Sequence, residues 1–137
     1  MKFIEAYDYF SGIWESNSTF RFYHTKKNHL NKILQLCNDD EIELKYFCLF
    51  HDIIFNPYSN SNEEDSAKYF YSYKELFDDL INKDIVIDMI LATKKHILTN
   101  NFLINKAIEM DLNVLNGSLY SLIEYENLIL KNIKDMI

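Results

Sequence analysis

Proline occurs once in this 137-residue chain, at Pro57, and glycine twice, at Gly12 and Gly117. So few turn-formers exclude a many-stranded sheet protein, in which a turn is needed about every 8–12 residues. Arginine is almost missing as well, with Arg21 alone, and the formal charge is −7. General nucleic-acid binding is thereby excluded, because contact with a phosphate backbone needs a surplus of cations. A small anionic substrate held by a few local charges or a metal remains compatible with that balance. The two cysteines, Cys37 and Cys48, are too few for a disulfide framework and lack metal-ligand spacing. They read as reduced, buried thiols of a cytosolic protein. No apolar run approaches about 18 residues, and the opening MKFIEAYDYF mixes acids with its apolar residues. Neither a signal peptide nor a membrane span is expected, and the expected location is the cytoplasm.

What is present suits one folded core. Hydrophobic residues make up 48% of the chain and charged residues 26%, with ten Tyr and ten Phe. One domain over residues 1–137 is expected. Apolar residues recur at steps of three and four, which predicts helices at 2–15, 24–37, 41–53, 62–72, 74–97, 101–110 and 117–136. The reading is an all-α single-domain bundle of six to seven helices. The 41–53 segment is apolar nearly all round and should lie centrally. A break is expected near Asn82–Asp84 within 74–97. SNEE at 61–64 has the form of a capping box, with Ser61 as cap and Glu64 reaching back.

Several polar residues fall where apolar ones would be cheaper. His51 and Asp52 end the apolar run of the third helix, and an ionised buried carboxylate needs a partner of opposite charge or an upward pKa shift. A divalent cation shared by both side chains meets that need. His29 begins the core stripe of the second helix, and Asp111 stands among Leu112, Val114 and Leu115. An acid there either caps a short helix or faces something positive. Two imidazoles and two carboxylates form a nitrogen and oxygen ligand set suited to Mn²⁺, Fe²⁺, Co²⁺ or Ni²⁺, with Mg²⁺ less natural. Arg21 offers a bidentate grip on phosphate. Lys94 and Lys95 read as a solvated face, and the aromatic stripe YFYSYKELF at 69–77 as core.

His29, the His51–Asp52 pair and Asp111 reproduce, in order, the H…HD…D ligand pattern of the HD-domain superfamily of metal-dependent phosphohydrolases. The surrounding words are RFYHTKKNHL (21–30), FHDIIFNP (50–57), NEEDSA (62–67), ATKKH (92–96) and DLNVLNG (111–117). Together they resemble a bacterial and phage branch of that superfamily, over about residues 21–125. The resemblance implies an HD-type helical bundle in which His29, His51, Asp52 and Asp111 hold the metal. It also implies that His24, similar to the first histidine of the cyclic-nucleotide phosphodiesterases, acts as general acid. Glu63 or Glu64 would orient or deprotonate the attacking water, and Arg21, Asn62 and His96 would face the substrate. The expected reaction is hydrolysis of a phosphomonoester or phosphodiester, in a nucleotide or cyclic nucleotide. Two alternatives stay open: a non-catalytic, metal-stabilised sensing or interaction domain, and an enzyme of the same fold acting on another phosphate ester. The sequence also leaves open assembly into a homodimer.

Overall fold

The computed structural model describes residues 1–16 and 26–116. Among these residues there are six α-helices and no strand: α1 (Phe3–Ser16), α2 (Asn31–Leu34), α3 (Ile42–Phe50), α4 (Asn62–Ser72), α5 (Lys83–Ala92) and α6 (Phe102–Asn116). A π-helical turn, Lys26–Leu30, runs directly into α2. The predicted helix at 117–136, with Arg21 and His24, lies outside the described residues. None of the described helices is long and apolar enough to cross a membrane.

Helix α3 is the hub. Leu44 and every residue from Tyr46 to Phe50 are buried, as its all-round apolar pattern predicts. It touches α1, α2, α4, α5 and α6. Helix α1 lays Ala6, Phe10 and Trp14, spaced by four, against this hub. The Phe10 ring meets Phe50, Tyr69, Tyr73 and Phe77 with centroids 4.9–6.0 Å apart. The 69–77 stripe is therefore core on one side. Tyr71 points outward instead and sits over the Lys74 ammonium at 3.9 Å.

The helical stretch predicted over 74–97 is broken at Asn82, where a break was expected, but the interruption is wider: a 3₁₀ turn at Lys74–Leu76 and an irregular passage precede α5, which ends at Ala92. Its apolar period runs on through the passage, but side chains capture the backbone there. Asp78 Oδ1 accepts the Leu80 N–H at 2.9 Å, and Asn82 Oδ1 accepts the Ile85 N–H at 3.2 Å as the N-cap of α5. Phe77 is extended (φ −91°, ψ 162°), which drives its ring into the aromatic core. The expected capping box is not formed. Ser61 does precede α4, yet its hydroxyl donates to Asp65 Oδ2 at 3.0 Å, while Glu64 bonds Lys94. Helix α6 continues to Asn116 beyond the predicted end at 110, so Asp111 lies in a helix interior and caps nothing.

Candidate metal centre

Four side chains from three segments converge. His29 comes from the π-helical turn, a local widening of the helix common at functional sites. His51 is the C-cap of α3 and Asp52 follows it, where the helix frees both side chains to turn toward one point. Asp111 comes from α6. His29 and His51 are fully buried, Asp111 nearly so, and Asp52 retains 18% side-chain exposure. The two Nε2 atoms are 2.8 Å apart. Asp52 Oδ2 lies 3.0 Å from each of them, and Asp111 Oδ1 lies 3.2 Å from His29 Nε2 and 3.4 Å from His51 Nε2.

These are the separations of neighbouring corners around one ion, since ligands at about 2.1 Å in octahedral array stand about 3 Å apart. One atom from each of the four residues lies within 4.8 Å of the others, so the group can hold a metal ion. Two further observations fit a cation there. Asp111 Oδ1 is buried and, with the rings as placed, its two ring-nitrogen neighbours do not make a well-formed hydrogen bond to it; a bond there needs a proton on a ring nitrogen. His51 Nδ1 stands 2.9 Å from the Cys48 carbonyl, which only accepts, so Nδ1 carries the proton and the neutral ring presents its Nε2 lone pair inward. Two carboxylates and two neutral imidazoles match the charge of a dication.

Without a cation, protons must play its part. Burial, the largest influence on both imidazoles, pushes their pKa values down. For His51 the charge of Asp52, and for His29 the hydrogen bond with Asp111, leads the opposing effects, and both rings end above the ordinary histidine value. Burial likewise pushes Asp111 up, but its bonds to His29, His51 and His96 outweigh that and hold it well below the usual carboxylate range. An ion held by this cluster would therefore compete with protons for the same four atoms.

One side of the centre is walled by aromatic rings. Phe47 stacks on His51 with centroids 4.9 Å apart, and the Trp14 ring centroid is 5.8 Å from that of His51 and 6.1 Å from that of His29. Trp14 is locked by its Nε1–H, which donates to the Leu49 carbonyl at 2.8 Å. The other side opens into a cavity of about 120 Å³ lined by Asp52, Phe55, Asn62, Glu63, Thr93, His96 and Asp111. His96 Nε2 is 2.8 Å from Asp111 Oδ2. The hydrogen bond with Asp111 is also the main reason its pKa is raised. Its backbone sits in the left-handed region (φ 53°), and its N–H closes the end of α5 by bonding the Ala92 carbonyl at 3.1 Å. That conformation is costly for any residue but glycine, and here it aims an imidazole at a buried acid.

The structure separates the two glutamates. Glu63 reaches the cavity, whereas Glu64 does not: it faces a neighbouring groove and pairs with Lys94 at 2.6 Å. Lys94 also donates to the Asn60 carbonyl at 2.7 Å, so it is a tether where a free solvated lysine was expected. Asn62 lines the cavity, but its amide is engaged at both ends by the Asn56 backbone, at 2.9 Å each. One turn on, the Ser66 hydroxyl accepts from the Ile54 N–H at 3.1 Å and donates to the Ile54 carbonyl at 3.2 Å. Asn62 and Ser66, four apart on one face of α4, therefore pin the strand of chain that leaves the His51–Asp52 pair. Ser66, Thr93, Phe55, Trp14 and Phe47 were not singled out from the sequence as site residues. The NEEDSA and ATKKH words carried the signal for Ser66 and Thr93. No family model, curated protein or solved structure matches this chain.

Proposed function

We propose that this chain is a metal-dependent phosphohydrolase of the HD type, cleaving a phosphomonoester or phosphodiester bond of a nucleotide. The observation that carries the reading is the one-sided opening of the centre. An ion that only ties helices together is enclosed by its ligands, whereas a catalytic ion needs a free position facing a space for substrate. Here the ligand cluster is backed by Trp14 and Phe47 and faces a cavity edged by Glu63, Thr93 and His96. At about 120 Å³ the cavity is well below the roughly 300 Å³ of a whole-ligand pocket. Only the phosphate end of a substrate enters, and the remainder lies outside.

In this reading His29, His51, Asp52 and Asp111 hold the ion. A divalent cation there supplies a lowered pKa for the attacking water and neutralisation of charge on the phosphoryl oxygens. Glu63 receives the proton of that water at its carboxylate, and Glu64, paired with Lys94, has no part. His96, whose pKa is raised by its hydrogen bond with Asp111, places its imidazole at the cavity wall, where it can donate to a phosphoryl oxygen. His24 donates a proton to the leaving oxygen on the strength of the sequence resemblance alone, and Arg21, three residues before it, grips the phosphate through its bidentate guanidinium. The ligand set favours Mn²⁺, Fe²⁺, Co²⁺ or Ni²⁺ over Mg²⁺.

The test is phosphate release by protein loaded in turn with Mn²⁺, Co²⁺, Ni²⁺ and Mg²⁺, against mononucleotides, cyclic nucleotides, dinucleotides and sugar phosphates. Wild type should turn over at least one nucleotide, and Asp52→Ala, which removes a ligand outright, should lose more than the roughly 10–100-fold that loss of a ligand's outer partner costs. A protein that binds the ion and hydrolyses nothing in this panel at any pH would be a metal-stabilised binding domain. Ion binding that survives loss of both His51 and Asp52 would refute the site itself.

A further inference from the structure

We propose that Cys37 and Cys48 are a redox-active dithiol that closes to an intrachain disulfide when a hydroperoxide reaches it. Eleven residues apart and on different elements, their sulfurs stand 3.6 Å apart in a mutual hydrogen bond. A disulfide needs about 2.05 Å, so the pair has about 1.5 Å to close. The movement falls to Cys37. It lies in the turn after α2, half-buried, its N–H bonded to the Leu34 carbonyl at 3.1 Å, whereas Cys48 is wholly buried in the middle of α3. Partial burial also selects the oxidant, because a hydroperoxide is small enough to reach a thiol that a bulky disulfide is not.

The two sulfurs have different roles. The hydrogen bond with Cys48 is the main influence favouring the Cys37 thiolate. The charges of Lys45 and Lys106 add to it, and burial and Glu41 do not cancel it. Burial keeps Cys48 a thiol. The Cys37 thiolate attacks one peroxide oxygen and the O–O bond breaks. Cys37 becomes a sulfenic acid, and the departing hydroxide takes the proton that Cys37 released. Cys48 sulfur then attacks Cys37 sulfur. The S–S bond forms, and the sulfenic hydroxyl leaves as water with the Cys48 proton. Two thiols lose two electrons and one hydrogen peroxide becomes two waters.

The site has a place in the molecule's working parts. The bond would staple the turn after α2 to α3, and the Cys48 carbonyl orients His51 through Nδ1 at 2.9 Å. The chemistry itself needs no metal, so its test stands apart from the phosphohydrolase reading. The full chain, treated with EDTA, is exposed to hydrogen peroxide, and its mass is read under denaturing conditions without reductant. The expected result is loss of about 2 Da, reversed by dithiothreitol, with one proteolytic peptide joining Cys37 to Cys48. In Cys37→Ser the buried Cys48 should stay reduced under the same dose. Wild type in which both thiols remain free to alkylate, in which Cys37 climbs to the sulfinic acid, or in which only disulfide-linked dimers form would overturn the proposal.

Discussion

Asp111→Asn removes one charge from the centre of the ligand cluster while keeping the side chain's shape, so no cavity confuses the result. Asp111 is 5% exposed. It lies 2.8 Å from His96 and 3.2 and 3.4 Å from the two buried Nε2 atoms. At pH 6 without metal it is the acid that faces all three raised imidazoles. Removing one partner of a buried ionic cluster costs about 3–5 kcal/mol. Unfolding entropy for 137 residues is about 0.29 kcal/mol per degree, so the melting temperature in EDTA should fall by about 10–17 °C. Metal supplies the second half of the test. An ion at 100 times its Kd adds about 2.7 kcal/mol, or about 9 °C, to wild type. The variant, missing a charged ligand, should show almost none of that rise. Circular dichroism melts at 222 nm in EDTA and in excess Mn²⁺ read both numbers. Asp88→Asn, at an exposed position on α5, is the control and should stay within about 0.5 kcal/mol. Asp52→Asn, with 18% exposure, should fall between them. An Asp111→Asn protein that melts within about 2 °C of wild type in EDTA, and still responds to Mn²⁺, refutes the cluster as a charged unit.

Stability should also depend on pH with opposite sign in the two metal states. Without metal, the raised pKa values of His29, His51 and His96 contribute fully below about 6.5 and are lost as pH rises through their folded values, while lowered Asp111 contributes above about 3.8 and is lost as pH falls further. The metal-free melting temperature should therefore decline toward alkaline pH, and the increment added by Mn²⁺ should grow over the same range, because the ion binds only the deprotonated ligands. An increment flat from pH 5 to 9 would contradict the shared site. Separately, Gly12 lies in the middle of α1 with no positive φ, and an added Cβ meets nothing within 4 Å. Gly12→Ala should raise stability by about 0.5–1 kcal/mol, and a lowered melting temperature would count against the packing described for α1.

The helices and the buried histidine–aspartate cluster were legible in the sequence for the same reason: both follow from what burial costs. Ala6, Phe10 and Trp14 mark one face of α1 because apolar side chains at that spacing have one place to go. The unbroken apolar surround of α3 leaves it no position but the centre. A histidine and an aspartate at the end of such a helix, or an aspartate between Met110 and Leu112, signal by the same logic, since a polar group at a core position must have a partner. What the sequence conveys there is the debt of an unpaired charge. The group that relieves it is a long-range matter.

That distinction accounts for what the sequence left open or incomplete. Glu63 and Glu64 are neighbours about 100° apart on a helix, and nothing local tells them apart. The choice is made by Lys94, thirty residues on, which takes Glu64 and leaves Glu63 to the cavity. The expected break near Asn82 is present, but its width was hidden, because the apolar period runs on through Asp78, whose hydrogen bond to a nearby N–H, with that of Asn82, outcompetes a helix that hydrophobic spacing alone would continue. His96 carries a cost of another kind, a left-handed backbone, that no pattern of side chains announces. Cys37 and Cys48 signal nothing at all from sequence, because a buried thiol is tolerated as a small hydrophobe. Their meaning arises only when the turn after α2 sets one sulfur 3.6 Å from the other. A site built from residues that are costly to bury can therefore be read in advance, whereas one built from residues that are cheap to bury needs the fold.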